Sequence, residues 1–197
     1  MEKILDVGYL SQRDNDHSPS YTCNVTTVAM CLEYRGIYSP NEDQQTEDWL
    51  YEQLKGPWLA GANEEIKRVR GYTTDKPQQF AEALAWIFRQ FPETFGAGEV
   101  MYLSLSQMMR MIEEDVPLIL SGRFPKKSGG SIAHFVLMIG YQDGGREIVL
   151  HDPWGNTGVY DDKDGEGIVV PWSRLDSWLS RDERNQKLKK CIVGMPR

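Results

Sequence analysis

Between Asn24 and Tyr34 the apolar residues Val25, Val28, Ala29 and Leu32 recur at i, i+3, i+4 and i+7. That is one face of a helix, and Gly36 supplies its stop. Residues 11–22, just before it, are polar and turn-prone and read as a loop. Residues 43–54 and 77–91 carry the same helical period, and Ser104 with Gln107 stands at capping-box spacing, which predicts a helix over about 105–115. After that the period changes. "VPLILSG", "AHFVLMIGY" and "REIVLHDP" are short apolar or β-branched runs divided by Gly, Lys and Asp, as strands are. "GEGIVVPW" and "KKCIVGMP" add two more, with a short helix near 173–180 between them. Helices first and strands later predict an α+β fold with an antiparallel sheet. The helical part covers about 1–116, with a helical insertion over about 37–100, and the sheet part about 117–197. A chain of 197 residues suits one domain over 1–197, burying roughly 70% of its unfolded surface without disulfides.

Charge narrows the partners. The net charge of -7 argues against nucleic acid and against an anionic membrane surface. The basic clusters, Lys126 with Lys127 and Lys187 to Lys190, are short and read as solvated faces. The start "MEKILDVGYLSQ" lacks the apolar run of a signal peptide, and no window approaches a membrane span, so the expected location is the cytoplasm. Three widely spaced cysteines give no disulfide framework, and three histidines show no zinc-ligand spacing, so neither metal nor cofactor is expected. The acidic run "DDKDGEG" lacks the first ligand and the closing Glu of a calcium loop and reads as a solvated turn. Trp49, Trp58 and Trp86 read as core aromatics.

Candidate chemistry begins at "TCNVTTVAM". Cys23 stands at the first helical turn, where unpaired N–H groups and the macrodipole favour an anion, and the thiolate is the reactive form of cysteine. Cys31, two turns further on, reads as a core thiol. His134 opens a strand-like run after the flexible "KKSGGSIA", and Asp152 ends the next run. "QDGG" joins the two runs as a hairpin would, so the strands should be neighbours and the carboxylate should reach the imidazole. In a strand His151 and Asp152 point to opposite faces, so only one of them can join that group.

Taken together, the Gln12, "CNVTTVAM", "AHFVLMIGY" and "IVLHDPWGN" motifs resemble the papain-like cysteine peptidases. The similar group is the bacterial and phage branch of bacteriocin leader-processing peptidases, and the likeness covers residues 8–36 and 131–156. The resemblance implies a papain-like fold with Cys23 as nucleophile, His134 as general base and acid, Asp152 as orienting carboxylate and Gln12 in the oxyanion hole. Where many relatives have Gly-Pro after the cysteine this chain has Asn24-Val25, so Asn24 is expected to border the substrate, as is Trp154 beyond Asp152. Asn15 and His17 lie in the gap between Gln12 and Cys23. The implied activity is cleavage of a peptide or isopeptide bond through a thioester, with a peptide or protein as substrate. Acyl or peptidyl transfer through the same thioester, murein endopeptidase activity and a catalytically silent binding role are the alternatives. The sequence leaves the oligomeric state open.

Overall fold

The computed structural model describes residues 2–56, 58, 81–125, 129–155 and 164–197. Its elements run β1 (Lys3–Ile4), α1 (Cys23–Glu33), α2 (Thr46–Lys55), α3 (Ala81–Phe88), β2 (Phe95–Leu103), α4 (Leu105–Glu113), β3 (Leu118–Pro125), β4 (Ser131–Gln142), β5 (Glu147–His151), β6 (Ile168–Pro171), α5 (Trp172–Trp178) and β7 (Lys189–Pro196). Short 3₁₀ turns at Gln12–Asp14 and Pro19–Tyr21 shape the loop before α1. Among the described residues the strands form one antiparallel sheet in the order β2-β7-β3-β4-β5-β6, with β1 added alongside β4. The fold is α+β.

The helix α1 is buried far beyond one stripe: every residue from Asn24 to Leu32 is inside. It lies against β4, α2 and α3 at once, which leaves no wet face. Its two threonines are tolerated there because they are hydrogen-bonded, Thr27 Oγ1 donating to the Asn24 carbonyl at 2.7 Å and Thr26 Oγ1 pairing with Asn15 at 3.1 Å. The capping box of α4 is complete, with both Ser104 and Gln107 side chains engaged. Trp58 packs edge to face on Trp49, Trp86 and Phe91, and Trp49 also meets Phe91, at 5.6–6.2 Å between centroids, a cluster seated on the main core.

Three expectations need correction. The helical insertion over 37–100 ends early, because Phe95–Leu103 is a strand paired with β7 from Phe95↔Pro196 to Leu103↔Lys189. Its sequence, FGAGEVMYL, has no clear alternation, and the pairing with β7 decides its state. The helix expected over 77–91 spans Ala81–Phe88 among the described residues. Lys189 is not on a solvated face. It is 1% exposed, with Nζ 2.6 Å from Asp176 Oδ1, 3.1 Å from the Gln186 carbonyl and over the Trp172 ring. Lys126 and Lys127, and the first part of "DDKDGEG", lie outside the described residues.

A buried ammonium is stabilised only while its partner stays ionised and in place. Removing one partner costs more than replacing the charge. Asp176→Ala should therefore lower stability by about 3 kcal/mol or more, and Lys189→Met by clearly less. Urea unfolding midpoints of the two variants check this.

Candidate active site

Sheet parity brings the first two groups together. His134 lies near the start of β4, and β5 enters in the register Leu137↔His151. Residues directly opposite share a face, and alternate residues on one strand do too. His151 therefore lies on the face of Leu137, and Asp152, one residue on, falls on the face of Val136 and His134. The result is a bond of 2.7 Å between His134 Nε2, the donor, and Asp152 Oδ1, with the two residues 5% and 3% exposed.

The imidazole is boxed in. The Phe124 ring meets it edge-on at 5.5 Å and is itself 5.6 Å from Trp178 at the end of α5. That end of α5 crosses β3 so closely that a Cβ on Gly122, the residue paired with His134, would lie 2.3 Å from the Trp178 carbonyl oxygen. Only glycine admits the approach.

Asp152 is held by its backbone as well. Its N–H donates to the Gly165 carbonyl at 2.8 Å, and the Tyr9 hydroxyl donates to its carbonyl at 3.0 Å. Oδ1 also accepts the Trp154 N–H at 3.0 Å, so the turn after β5 aims the carboxylate. His151, on the other face, clamps the same strand end. Its Nε2 donates to the Val7 carbonyl at 2.8 Å and its Nδ1 accepts the Gly167 N–H at 3.0 Å, which assigns the neutral tautomer. Burial lowers its pKa, which agrees.

The helix side supplies the thiol. Cys23 is the first residue of α1 and is part-exposed, whereas Cys31 and Cys191 are buried and burial raises both thiols, Cys191 to about 12. The residue before it, Thr22, gives no side-chain cap, because its hydroxyl is turned to Asn15. The Cys23 thiol lies close enough to the His134 ring to act on its charge. With Nε2 committed to Asp152, Nδ1 is the nitrogen left for sulfur. Burial by itself pushes the imidazolium down, but the Asp152 and Cys23 charges and their hydrogen bonds outweigh it, raising His134 to about 10.

Gln12 joins this group through its main chain, its N–H donating to the Pro153 carbonyl at 2.9 Å. Its carboxamide is buried, with Nε2 donating to the Pro19 carbonyl at 2.6 Å and Oε1 unpartnered. Contact with a carbonyl at that distance requires the nitrogen there. Trp154 is 37% exposed beside the turn, with the Arg13 guanidinium 4.9 Å from its ring centroid. Asn24 is placed differently from its expected role at the substrate. It is buried, and its Oδ1 accepts the Val25 N–H at 2.8 Å inside the first turn.

Sequence reasoning missed Tyr9, the clamp made by His151, and the role of Asn15. In the amide orientation that satisfies every neighbour, Asn15 accepts from Thr22 and Thr26 at 2.9 and 3.1 Å. It donates to the Ser11 carbonyl and to Glu47 Oε1 at 3.1 and 3.2 Å. The position of Asn15 between Gln12 and Cys23 was the only signal available in the sequence.

A part-exposed thiol at a helix start, an imidazole on the facing sheet and a carboxylate behind it lie at one place in this α+β fold. The Peptidase C39-like family model matches residues 4–177, and the chain belongs to that family. Its substrate is accordingly a peptide or protein. Two solved structures are similar over nearly the whole chain. One is described as a C39-like peptidase from Bacillus anthracis, at 17% identity and TM-score 0.48, covering 98% of this chain and 97% of that one. The other is xylellain, a cysteine protease from Xylella fastidiosa, at 12% identity and TM-score 0.44, covering 100% and 86%. Neither likeness is close enough to transfer a role. No curated protein matches the sequence. No described helix is long and apolar enough to cross a membrane.

The placement of His151 changes what its loss should do. Removing it leaves the buried Val7 carbonyl without its donor, at about 1–3 kcal/mol, and releases the exposed Gly167 N–H from the clamp. His151→Ala should lower the melting temperature sharply, where an exposed histidine would be neutral. A thermal melt of this variant beside wild type decides it.

Proposed function

We propose that this peptidase cleaves a peptide or isopeptide bond through Cys23, His134 and Asp152, with a covalent thioester intermediate. The observation that carries the reading is the buried 2.7 Å bond from His134 Nε2 to Asp152, beside the part-exposed thiol that opens α1. Sulfur attacks the scissile carbonyl carbon and the C–S bond forms. His134 gives its proton to the leaving amine as the C–N bond breaks. Neutral His134 then takes a proton from water, whose oxygen attacks the thioester carbonyl. The C–S bond breaks, the acid product leaves, and the thiolate–imidazolium pair is restored.

Asp152 keeps the ring in one tautomer and orientation through both steps. The developing oxyanion is met by the Cys23 N–H at the helix start and by Gln12. An amide nitrogen carries two N–H donors. One is on Pro19, and the oxyanion role falls to the other. Trp154, flanking the carboxylate and stacked under Arg13, is the surface on which the substrate chain rests.

Brief exposure to an activated peptide ester, acid quench and intact-mass measurement tests the intermediate. The expected adduct is one acyl group on Cys23, absent from Cys23→Ala and from His134→Ala, with both variants folded. Acylation at Cys31 or Cys191, or an unchanged adduct in Cys23→Ala, would refute the assignment.

A further inference from the structure

Between the segment Tyr9–Asp14 and the facing ends of α1 and α2 lies a cavity of about 250 Å³. Its wall carries three carboxylates, Asp14, Glu33 and Glu47, and no Lys, Arg or His. Two of these carboxylates are each held by one oxygen. The Thr46 hydroxyl donates to Glu33 Oε1 at 2.6 Å, and the Asn15 amide donates to Glu47 Oε1 at 3.2 Å. The second oxygen of Glu47 has nothing. Glu47 is 2% exposed, and its Oε2 is buried with no hydrogen-bond partner. A buried carboxylate oxygen without a donor is costly, and such groups are normally satisfied.

We infer that this cavity is a binding site for an organic cation, a guanidinium or ammonium group that supplies the missing donor to Glu47 and sits between Asp14 and Glu33. Several spread carboxylates fit a group with several N–H donors. Among the described residues no three His, Cys, Asp or Glu side chains are grouped to hold a metal ion. The electrostatics point the same way. Desolvation, the largest effect, outweighs a hydrogen bond from the residue's own N–H and, with the charges of Glu33, Asp48 and Asp14, raises Glu47 to about 7. Asp48 is occupied in holding the Asp16 and His17 N–H groups at 3.0 and 3.1 Å, so it stays in place as a charge beside Glu47. An incoming cation opposes each of these effects. Binding should therefore expel a proton near neutral pH and tighten as pH rises through 7.

The site is wired to the reaction. Asn15 joins Glu47 to Thr22 and Thr26, which flank Cys23 in the first turn of α1, and to the Ser11 carbonyl, the residue before Gln12. Ionised Glu47 is the stronger acceptor for the Asn15 amide. A cation in the cavity thus firms the turn that presents the thiol. It arrives either as a basic side chain of the peptide or as a free amine, and the chemistry recognised is the same.

Agmatine, which carries both groups, is the probe, titrated calorimetrically into the wild-type protein. Expected are saturable binding, tighter above pH 7 than below, and proton release. Glu47→Gln should weaken binding roughly tenfold or more and abolish the proton release. Asp14→Asn, on the exposed rim, should weaken it less. Glu47→Gln is expected to fold. Because Glu47 is raised above its ordinary 4.5, wild type loses stability as pH rises through about 7. The variant should melt higher than wild type above that pH, and the gain should fade toward 4.5. Absence of saturable binding, or binding that Glu47→Gln leaves unchanged, overturns the proposal. A peptide series then assigns the source. A preference for Lys or Arg at one position that Glu47→Gln removes places a substrate side chain in the cavity, and agmatine binding without such a preference places a free amine there. Both outcomes support the site. The calorimetry needs no turnover, so loss of the peptidase mechanism would leave this result standing.

Discussion

The hydrogen bond between His134 and Asp152, 2.7 Å long and almost wholly out of water, is the constraint around which the described residues are arranged. Two ionisable groups in that position are tolerable only as partners, and their geometry has to be fixed from several sides. Strand parity sets the face. The Gly165 carbonyl and the Tyr9 hydroxyl fix the Asp152 backbone, the Trp154 N–H shares its carboxylate, and His151 pins the strand end from the opposite face. A Cβ at Gly165 would fall 1.8 Å from the Asp152 carbonyl oxygen, so the closeness of that bracket depends on glycine. Phe124 and the end of α5 close the other side of the imidazole.

The helical half has to meet this sheet-borne pair. It does so with a helix buried along nearly its whole length, whose only part-exposed position among Cys23–Leu32 is the cysteine. The loop before it is tied down at both ends. Gln12 is hydrogen-bonded to the Pro153 carbonyl on the sheet side, and Asn15 to Thr22, Thr26 and Glu47 on the helix side. Thiol, imidazole and carboxylate therefore come from three separate segments, brought together by the packing of α1 on β4 and the pairing of β4 with β5.

Much of this was legible in the sequence, for identifiable reasons. Cys23, His134 and Asp152 were readable because each sits where the hydrophobic period starts or stops, and because alternation in a strand separates His151 from Asp152. The helix at 105–115 was readable from its capping box. The Phe95–Leu103 strand was not, since its state comes from pairing with β7, a partner nearly a hundred residues away. Lys189 read as surface because a single lysine carries no sign of Asp176 and Trp172 folding over it. Asn24 read as a substrate contact because it follows Cys23, where many relatives have Gly-Pro, but its carboxamide oxygen accepts a hydrogen bond in the first turn. The network of Asn15 and Glu47 joins two segments whose sequences give no hint of each other.

The central claim is that Asp152 and the Cys23 sulfur hold His134 as a charged, oriented ring. Its raised value means that the stability of the pair is fully present below the ordinary 6.5 and is lost as pH rises through about 10. Nitrogen-15 NMR of histidine-labelled protein reads this directly, with His134 assigned through His134→Ala. The account predicts a doubly protonated His134 ring at neutral pH that titrates far above 6.5, and whose midpoint falls in Asp152→Asn. A His134 that titrates near 6.5 in wild type, with no change in Asp152→Asn, would contradict it.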